Sequence, residues 1–366
     1  MKLPQIKKLD WYIIKKFIGT YLFTLLIVIL IVIIFDLSEK IDKFAEQNVP
    51  IKEIVFQYYG GFIPWILNSF SPLFVFIAAI FFTSQLASHS EIIAMLTSGV
   101  SFKRLLVPYM ISATVICIFS LLMGLYIIPP ANQHRLDFEN KYIKQQRLIN
   151  QTRNIHYQIA PGQFVYVEQF SPWANTAYRF SLETIDVESG ELKSKVSAES
   201  AVWDSTFSGW KLHNYYERNF YGESEVVHAG RVKDTVIDLT VKDFYRRKNI
   251  VESLTQKDLN EMIRTQEMRG DATVKYSLIE KHNRIAMPFS AFVLTLMAVA
   301  LSSRKKRGGT GINIGIGLAL SFSYILFQRF SQMFVHTGIM APMLAMWLPN
   351  IIYAVIAYVL YRIAPK

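Results

Sequence analysis

Between Phe17 and Phe35 the chain runs for about 19 residues without one charged side chain, and a helix of that length crosses about 30 Å of hydrocarbon. Inside lipid every backbone N–H and C=O must be satisfied within the segment, so an isolated apolar run of this kind becomes a helix. Five comparable stretches follow: Trp65 to Ala87, Leu105 to Ile128, Ile285 to Leu301, Ile312 to about Val335, and Met340 to Tyr361. Six spans explain why a chain of 366 residues is 52% hydrophobic, with a mean hydropathy of +0.25. A cleaved signal peptide is the competing reading of the first stretch, but the apolar run is too long and no small-residue cleavage pattern follows it. Asp36, Glu39, Lys40 and Lys43 follow instead at helical spacing, so the helix is expected to continue past the membrane surface.

The formal charge of +11 would suggest nucleic acid in a soluble chain. Its placement excludes that. Lys2, Lys7, Lys8, Lys15, Lys16, Lys103, Arg104, Arg304, Lys305, Lys306, Arg307, Arg362 and Lys366 all fall on one side of the spans, against only Asp10 and Glu91. This imbalance equals the whole excess. The positive-inside rule then places both termini of the multi-pass chain on the cytoplasmic side of its membrane.

From Ile54 to Ser88 the chain has no Asp, Glu, Lys or Arg, too long for one straight span and broken by Gly60-Gly61, Pro64, Asn68 and Pro72. Ile51 to Phe62 is expected at the outer interface, and Trp65 to Ala87 crosses inward. The cytoplasmic turn that follows, Ser88 to Arg104, carries its own helix punctuation. Ser88 and Glu91 have the spacing of a capping box, Gly99 is a left-handed stop, and Ser101 can cap the next helix. A helix over about 88–100 is too short to be stable alone, so Ile92, Ile93, Met95 and Leu96 must pack on something.

Residues 130–250 change character. Ile155 to Ile159, Gln163 to Phe170, Tyr178 to Val187, Val196 to Trp203, Trp210 to Arg218 and Val236 to Val241 read as strands, separated by turn signals at Pro161-Gly162, Ser189-Gly190, Ser208-Gly209 and Gly222. Short strands at this spacing predict an antiparallel sandwich or jelly-roll-like domain, outside the membrane by the topology above. Residues 251–275 return to helical spacing: Thr255 is a cap and Leu259, Met262 and Ile263 form an apolar stripe, as expected of an interfacial helix. The expected organisation is an N-terminal half over 1–129, the β domain over 130–250, the interfacial helix and linker over 251–275, and a C-terminal half over 276–366. It is a polytopic α-helical membrane protein, three spans plus three, with an inserted all-β domain.

Enzymatic chemistry has little support. The glycines of Gly308 to Gly317 lack the lysine of a phosphate loop and read as close helix packing, the seven histidines show no metal spacing, and no Ser/His/Asp set is evident. Neither a catalytic residue, a metal site nor a cofactor is expected. Cys117 is the sole cysteine. Lys40, Lys43, Arg135 and Arg284 all fall near the outer ends of spans, where cations could ring a bundle mouth and read a phosphorylated lipid; each is equally an interface anchor. Arg329 sits within the fifth apolar segment and faces either a polar cavity or the interface. Glu91 is either a cap alone or also a carboxylate offered to a basic groove on a partner.

Ser90-Glu91-Ile92-Ile93-Ala94-Met95-Leu96-Thr97-Ser98-Gly99-Val100-Ser101, Ile128-Pro129-Pro130 with Asn132 and Arg135, Lys281-His282-Asn283-Arg284-Ile285-Ala286-Met287-Pro288 and Gly338 to Pro349 resemble motifs of the LptF/LptG family of lipopolysaccharide export permeases. Thr97 stands where that family often has a small residue such as alanine. The resemblance covers nearly the whole chain. It implies a transport subunit whose coupling helix, through Glu91, Ile92, Met95, Leu96 and Gly99, fits a dimeric cytoplasmic ABC ATPase that hydrolyses ATP. It also implies a second LptF/LptG-type permease, or a second copy, as partner. Lipopolysaccharide would be held by Lys40, Lys43, Arg135, Arg284 and Arg329, then passed to a periplasmic bridge protein with a similar jelly-roll fold. The alternative is an ATPase-coupled permease for another lipid or a lipoprotein. A secondary transporter or a membrane-anchored sensor is a third class; the first lacks midplane ionisable residues apart from Arg329, and the second has no need of a dedicated helix between spans.

Overall fold

The computed structural model describes residues 7–143, 153–222, 224–244, 250–271, 273–303 and 309–364. Lys2, Lys366 and Arg304 to Arg307, used above for topology, lie outside the described residues. Helix α1 (Lys8–Glu46) is 39 residues long and continues past the apolar run, as the spacing of Asp36 to Lys43 predicts. A helical stretch follows, made of α2 (Ile51–Glu53), a π-helical segment (Ile54–Tyr59) and α3 (Gly60–Ser69). The backbone leaves helical geometry at Phe70, and α4 (Ser71–Ser88) begins afresh with Pro72 in its first turn. Proline has no N–H to donate and suits a first turn, so the span starts at Ser71 and not at Trp65 as expected. After the short α5 (Glu91–Thr97), α6 (Phe102–Leu122) forms the third span.

The helical path does not stop at Pro129-Pro130. A π-helical segment at Met123–Ile127 leads into α7 (Ile128–Phe138), where both prolines sit in the first turn, and a second π-helical segment follows at Glu139–Ile143. Prolines there remove N–H groups that have few intrahelical partners to lose.

The inserted domain is one six-stranded antiparallel sheet: β1 (Arg153–Ala160), β2 (Gln163–Ser171), β3 (Thr176–Ile185), β4 (Leu192–Asp204), β5 (Gly209–Tyr221) and β6 (Ser224–Thr235). Every strand pairs with its sequence neighbour, so the inserted sheet is antiparallel as expected, with its strands in meander order. Alternate residues Val165 and Val167 join Ile155, Tyr157, Phe180, Trp210 and Leu212 in its core. The expected strand at Val236 to Val241 is absent. There the chain turns so that buried Leu239 offers its carbonyl to Trp210 Nε1 at 2.7 Å, and α8 (Val241–Phe244) follows.

A 3₁₀ turn at Ile250–Ser253 precedes α9 (Gln256–Met268), which buries Leu259 and Ile263 of the expected stripe but only half-buries Met262. Next come α10 (Val274–Ala286), a 3₁₀ turn at Met287–Phe289, α11 (Ser290–Ser302), α12 (Gly309–His336) and α13 (Pro342–Ile363). Among the described residues six helical stretches are long and apolar enough to cross a membrane: Lys8–Glu46, Ser71–Ser88, Phe102–Ile143, Val274–Ser302, Ile314–His336 and Pro342–Ile363. The chain forms two compact units. One comprises described residues of 1–145, 252–256 and 278–366, and the other those of 146–251 and 257–277.

Candidate functional site

Helix α5 is held by its apolar face. Ile92 is fully buried in the main core of the helical unit, with Met95 and Leu96 packed against that core, while Ile93, Ala94, Thr97 and Ser98 are exposed. Of the five residues expected to meet a partner, three therefore anchor the helix. The expected capping box does not form, because α4 keeps Ser88 in its final turn, where its Oγ donates to the Gln85 carbonyl at 2.9 Å. The chain reverses instead through Ser90, in left-handed geometry at φ 61°. Glu91 accepts a hydrogen bond from the Tyr12 hydroxyl at 3.2 Å.

The C-terminal punctuation is as read from the sequence. Gly99 has φ 88°, its N–H donates to the Leu96 carbonyl, and the Val100 N–H donates to the Met95 carbonyl, both at 3.1 Å. Ser101 Oγ accepts from the Arg104 N–H at 3.3 Å and opens α6. Arg104 also closes a two-pronged pair on buried Asp10, at 2.7 and 2.5 Å. The starts of α1 and α6 are thereby clamped together beside α5, and Tyr12 ties α1 to α5 itself.

A second cluster lies near the opposite ends of the spans. Tyr58, Phe62 and Trp65 recur on one helical face and form a ladder, with ring centroids 5.5 Å and then 6.2 Å apart. Each end carries a cation. Lys40 lies 4.7 Å from the Tyr58 ring centre and 5.4 Å from that of Phe62, and pairs with Asp36 and the Tyr58 hydroxyl. Arg135 is buried and stacks 4.3 Å from the Trp65 ring centre. Gly61 makes this approach possible: a Cβ there would lie 2.3 Å from the Ala131 carbonyl oxygen and 2.7 Å from Arg135 Cβ.

Trp65 Nε1 donates to Glu252 at 3.0 Å, and buried Arg284 donates to Glu280 at 2.8 Å and to the Leu254 carbonyl at 2.9 Å. Burial raises the Glu252 carboxyl above the ordinary glutamate range and neighbouring Glu280 adds to this; Arg135, the Trp65 hydrogen bond and Arg329 oppose it. The five cations expected to read a lipid thus separate. Arg135, Arg284 and Arg329 surround the Glu252 segment, and Lys40 is committed to Asp36. Lys43 and Arg329 are exposed and form no ion pair among the described residues. Tyr12, Trp65 and Glu252 were not singled out from the sequence; only the spacing of Tyr58, Phe62 and Trp65 could have pointed to one of them.

These features define a multi-spanning membrane protein with an inserted β domain, a core-anchored helix between two spans at one end and a cation-capped aromatic ladder at the other. The chain belongs to the lipopolysaccharide export system permease LptF/LptG family, whose model matches residues 11–363. Among curated proteins it is similar to the lipopolysaccharide export system permease protein LptG of Haemophilus influenzae, 26% identical over 137 residues. That similarity covers 37% of this chain and 38% of the relative's length.

Proposed function

We propose that this chain is a permease subunit of an ATP-driven transporter that extracts lipopolysaccharide from the inner membrane of a Gram-negative bacterium and passes it to a periplasmic bridge. The observation that carries the coupling is α5: a two-turn helix between spans, pinned at Ile92, with Ile93, Ala94 and Thr97 left open to a partner. A soluble ATPase dimer seated on that face pushes a lever already tied to α1 through Tyr12 and, by the Asp10–Arg104 clamp, to α6. Movement of these helices changes the chamber formed with a second permease or second copy. At the outer end the exposed Lys43 and Arg329 meet the lipid's phosphates, while Lys40, Arg135 and Arg284 hold the rim in shape. The β domain then receives acyl chains on their way to the bridge. The family assignment and the similarity to LptG support the substrate.

The test is affinity purification of the full chain with its associated proteins. A nucleotide-hydrolysing subunit is expected with the native chain and is lost with Ile93→Asp, a change on an exposed position that leaves the Ile92 anchor in place. Its retention with Ile93→Asp and with Thr97→Asp overturns the coupling role. Photo-crosslinking from positions 43 and 329 in cells reads the cargo separately. A glycolipid adduct is expected, and phospholipid adducts alone turn the assignment to a permease for another lipid or a lipoprotein.

A further inference from the structure

Tyr12, Lys15, Lys16, Gly19, Thr20 and Phe23 follow one another at helical spacing on a single face of α1, and with Phe81 of α4 they line a groove of about 540 Å³. The groove is graded along its length. Lys15 and Lys16 stand at its mouth, both exposed and neither in an ion pair among the described residues. Phe23, one 10 Å length of helix further into the span by the rise of about 1.5 Å per residue, and Phe81 make its apolar end. Gly19 keeps the middle open, since a Cβ there would meet nothing within 4 Å. Of the carboxylates nearby, Asp10 is paired with Arg104, and Glu91, which accepts from the Tyr12 hydroxyl, is one negative charge against the two lysines, so the mouth stays net positive.

We propose that this groove is a binding site for an anionic phospholipid of the cytoplasmic leaflet, its phosphate between Lys15 and Lys16 and an acyl chain laid along Gly19, Thr20, Phe23 and Phe81. Two lysines that merely snorkel need no groove beneath them. Here the positive mouth lies on the basic, cytoplasmic side and the apolar trough runs in the direction an acyl chain takes. That charge complementarity selects a lipid with net negative charge over a zwitterionic one. The site is separate from the outer cluster around Trp65 and does not depend on what the transporter carries. Its one link to α5 is Tyr12, which lines the groove and also donates to Glu91.

The full-length protein in detergent, equilibrated with equal phosphatidylglycerol and phosphatidylcholine, is examined by native mass spectrometry for retained lipid. Preferential retention of phosphatidylglycerol is expected. Lys15→Gln with Lys16→Gln lowers it roughly tenfold. Gly19→Leu lowers it comparably by filling the trough without altering charge, and Lys103→Gln, an exposed lysine away from the groove, leaves it unchanged. Excess inorganic phosphate does not displace the lipid. Wild-type retention in Gly19→Leu, equal loss in Lys103→Gln, or displacement by inorganic phosphate each overturns the proposal. A groove occupied by a helix of another membrane protein would appear as unchanged lipid retention in every variant and overturns it equally.

Discussion

Glu252 holds an acid where ionisation is opposed. Burial and Glu280 raise its proton affinity, and Arg135 and Arg329 compensate only in part. A carboxyl whose folded value lies above its unfolded one keeps its proton more tightly in the native state. Its contribution to stability is fully present below the unfolded value and is lost as pH rises through the folded one. Glu252→Gln retains an oxygen to accept from Trp65 Nε1 and cannot ionise. The variant is expected to match the native chain in thermal unfolding in acid and to exceed it increasingly toward neutral pH. Lower stability than the native chain at neutral pH would mean that Arg135 requires the negative charge. Arg135 and Arg284 were legible in sequence as cations at one depth. What they touch was not, because Trp65 and Glu252 are 187 residues apart and no local pattern joins them.

Helix α5 shows how far punctuation alone can be read. Its stop was legible because a left-handed residue between two helices asks for glycine, and Gly99 adopts φ 88° with open space around the missing Cβ. Its start was not, since spacing cannot tell whether Ser88 ends one helix or opens another; with no breaker before it, α4 simply continues through it. The same open space isolates a backbone effect. Gly99→Ala meets no neighbour, so its cost is the left-handed strain, about 1 kcal/mol. Hydrogen exchange at Gly99 and Val100 is expected to quicken by roughly fivefold while α4 and α6 keep their protection, and unchanged exchange would show that the stop does not hold the helix end. Strand β6 failed in the sequence for the opposite reason. None of its residues is buried and most are exposed, so no period-two pattern marks it, and the β-branched residues just beyond it at Val236 to Val241 drew the assignment instead.

At the scale of the chain, the charge-free runs made the six spans legible, because hydrocarbon tolerates few alternatives. The return of 252–256 to the helical unit between two stretches of the β unit was not, since it rests on long-range contacts of Glu252 and Leu254. The two units have separate cores, and each contains a reporter. Trp210 is fully buried in the β unit, T-shaped against Trp203 at 5.3 Å and bonded to the Leu239 carbonyl. Cys117, the chain's sole cysteine, is buried in the helical core. Trp210→Ala removes packing worth about 3–5 kcal/mol. If the cores stand independently, exchange across β1 to β5 rises steeply in this variant, while the temperature at which Cys117 becomes open to alkylation in detergent stays where it is in the native chain. A matching fall in the Cys117 midpoint would make the two units one cooperative structure, and the division between the helical and β units would lose its physical basis.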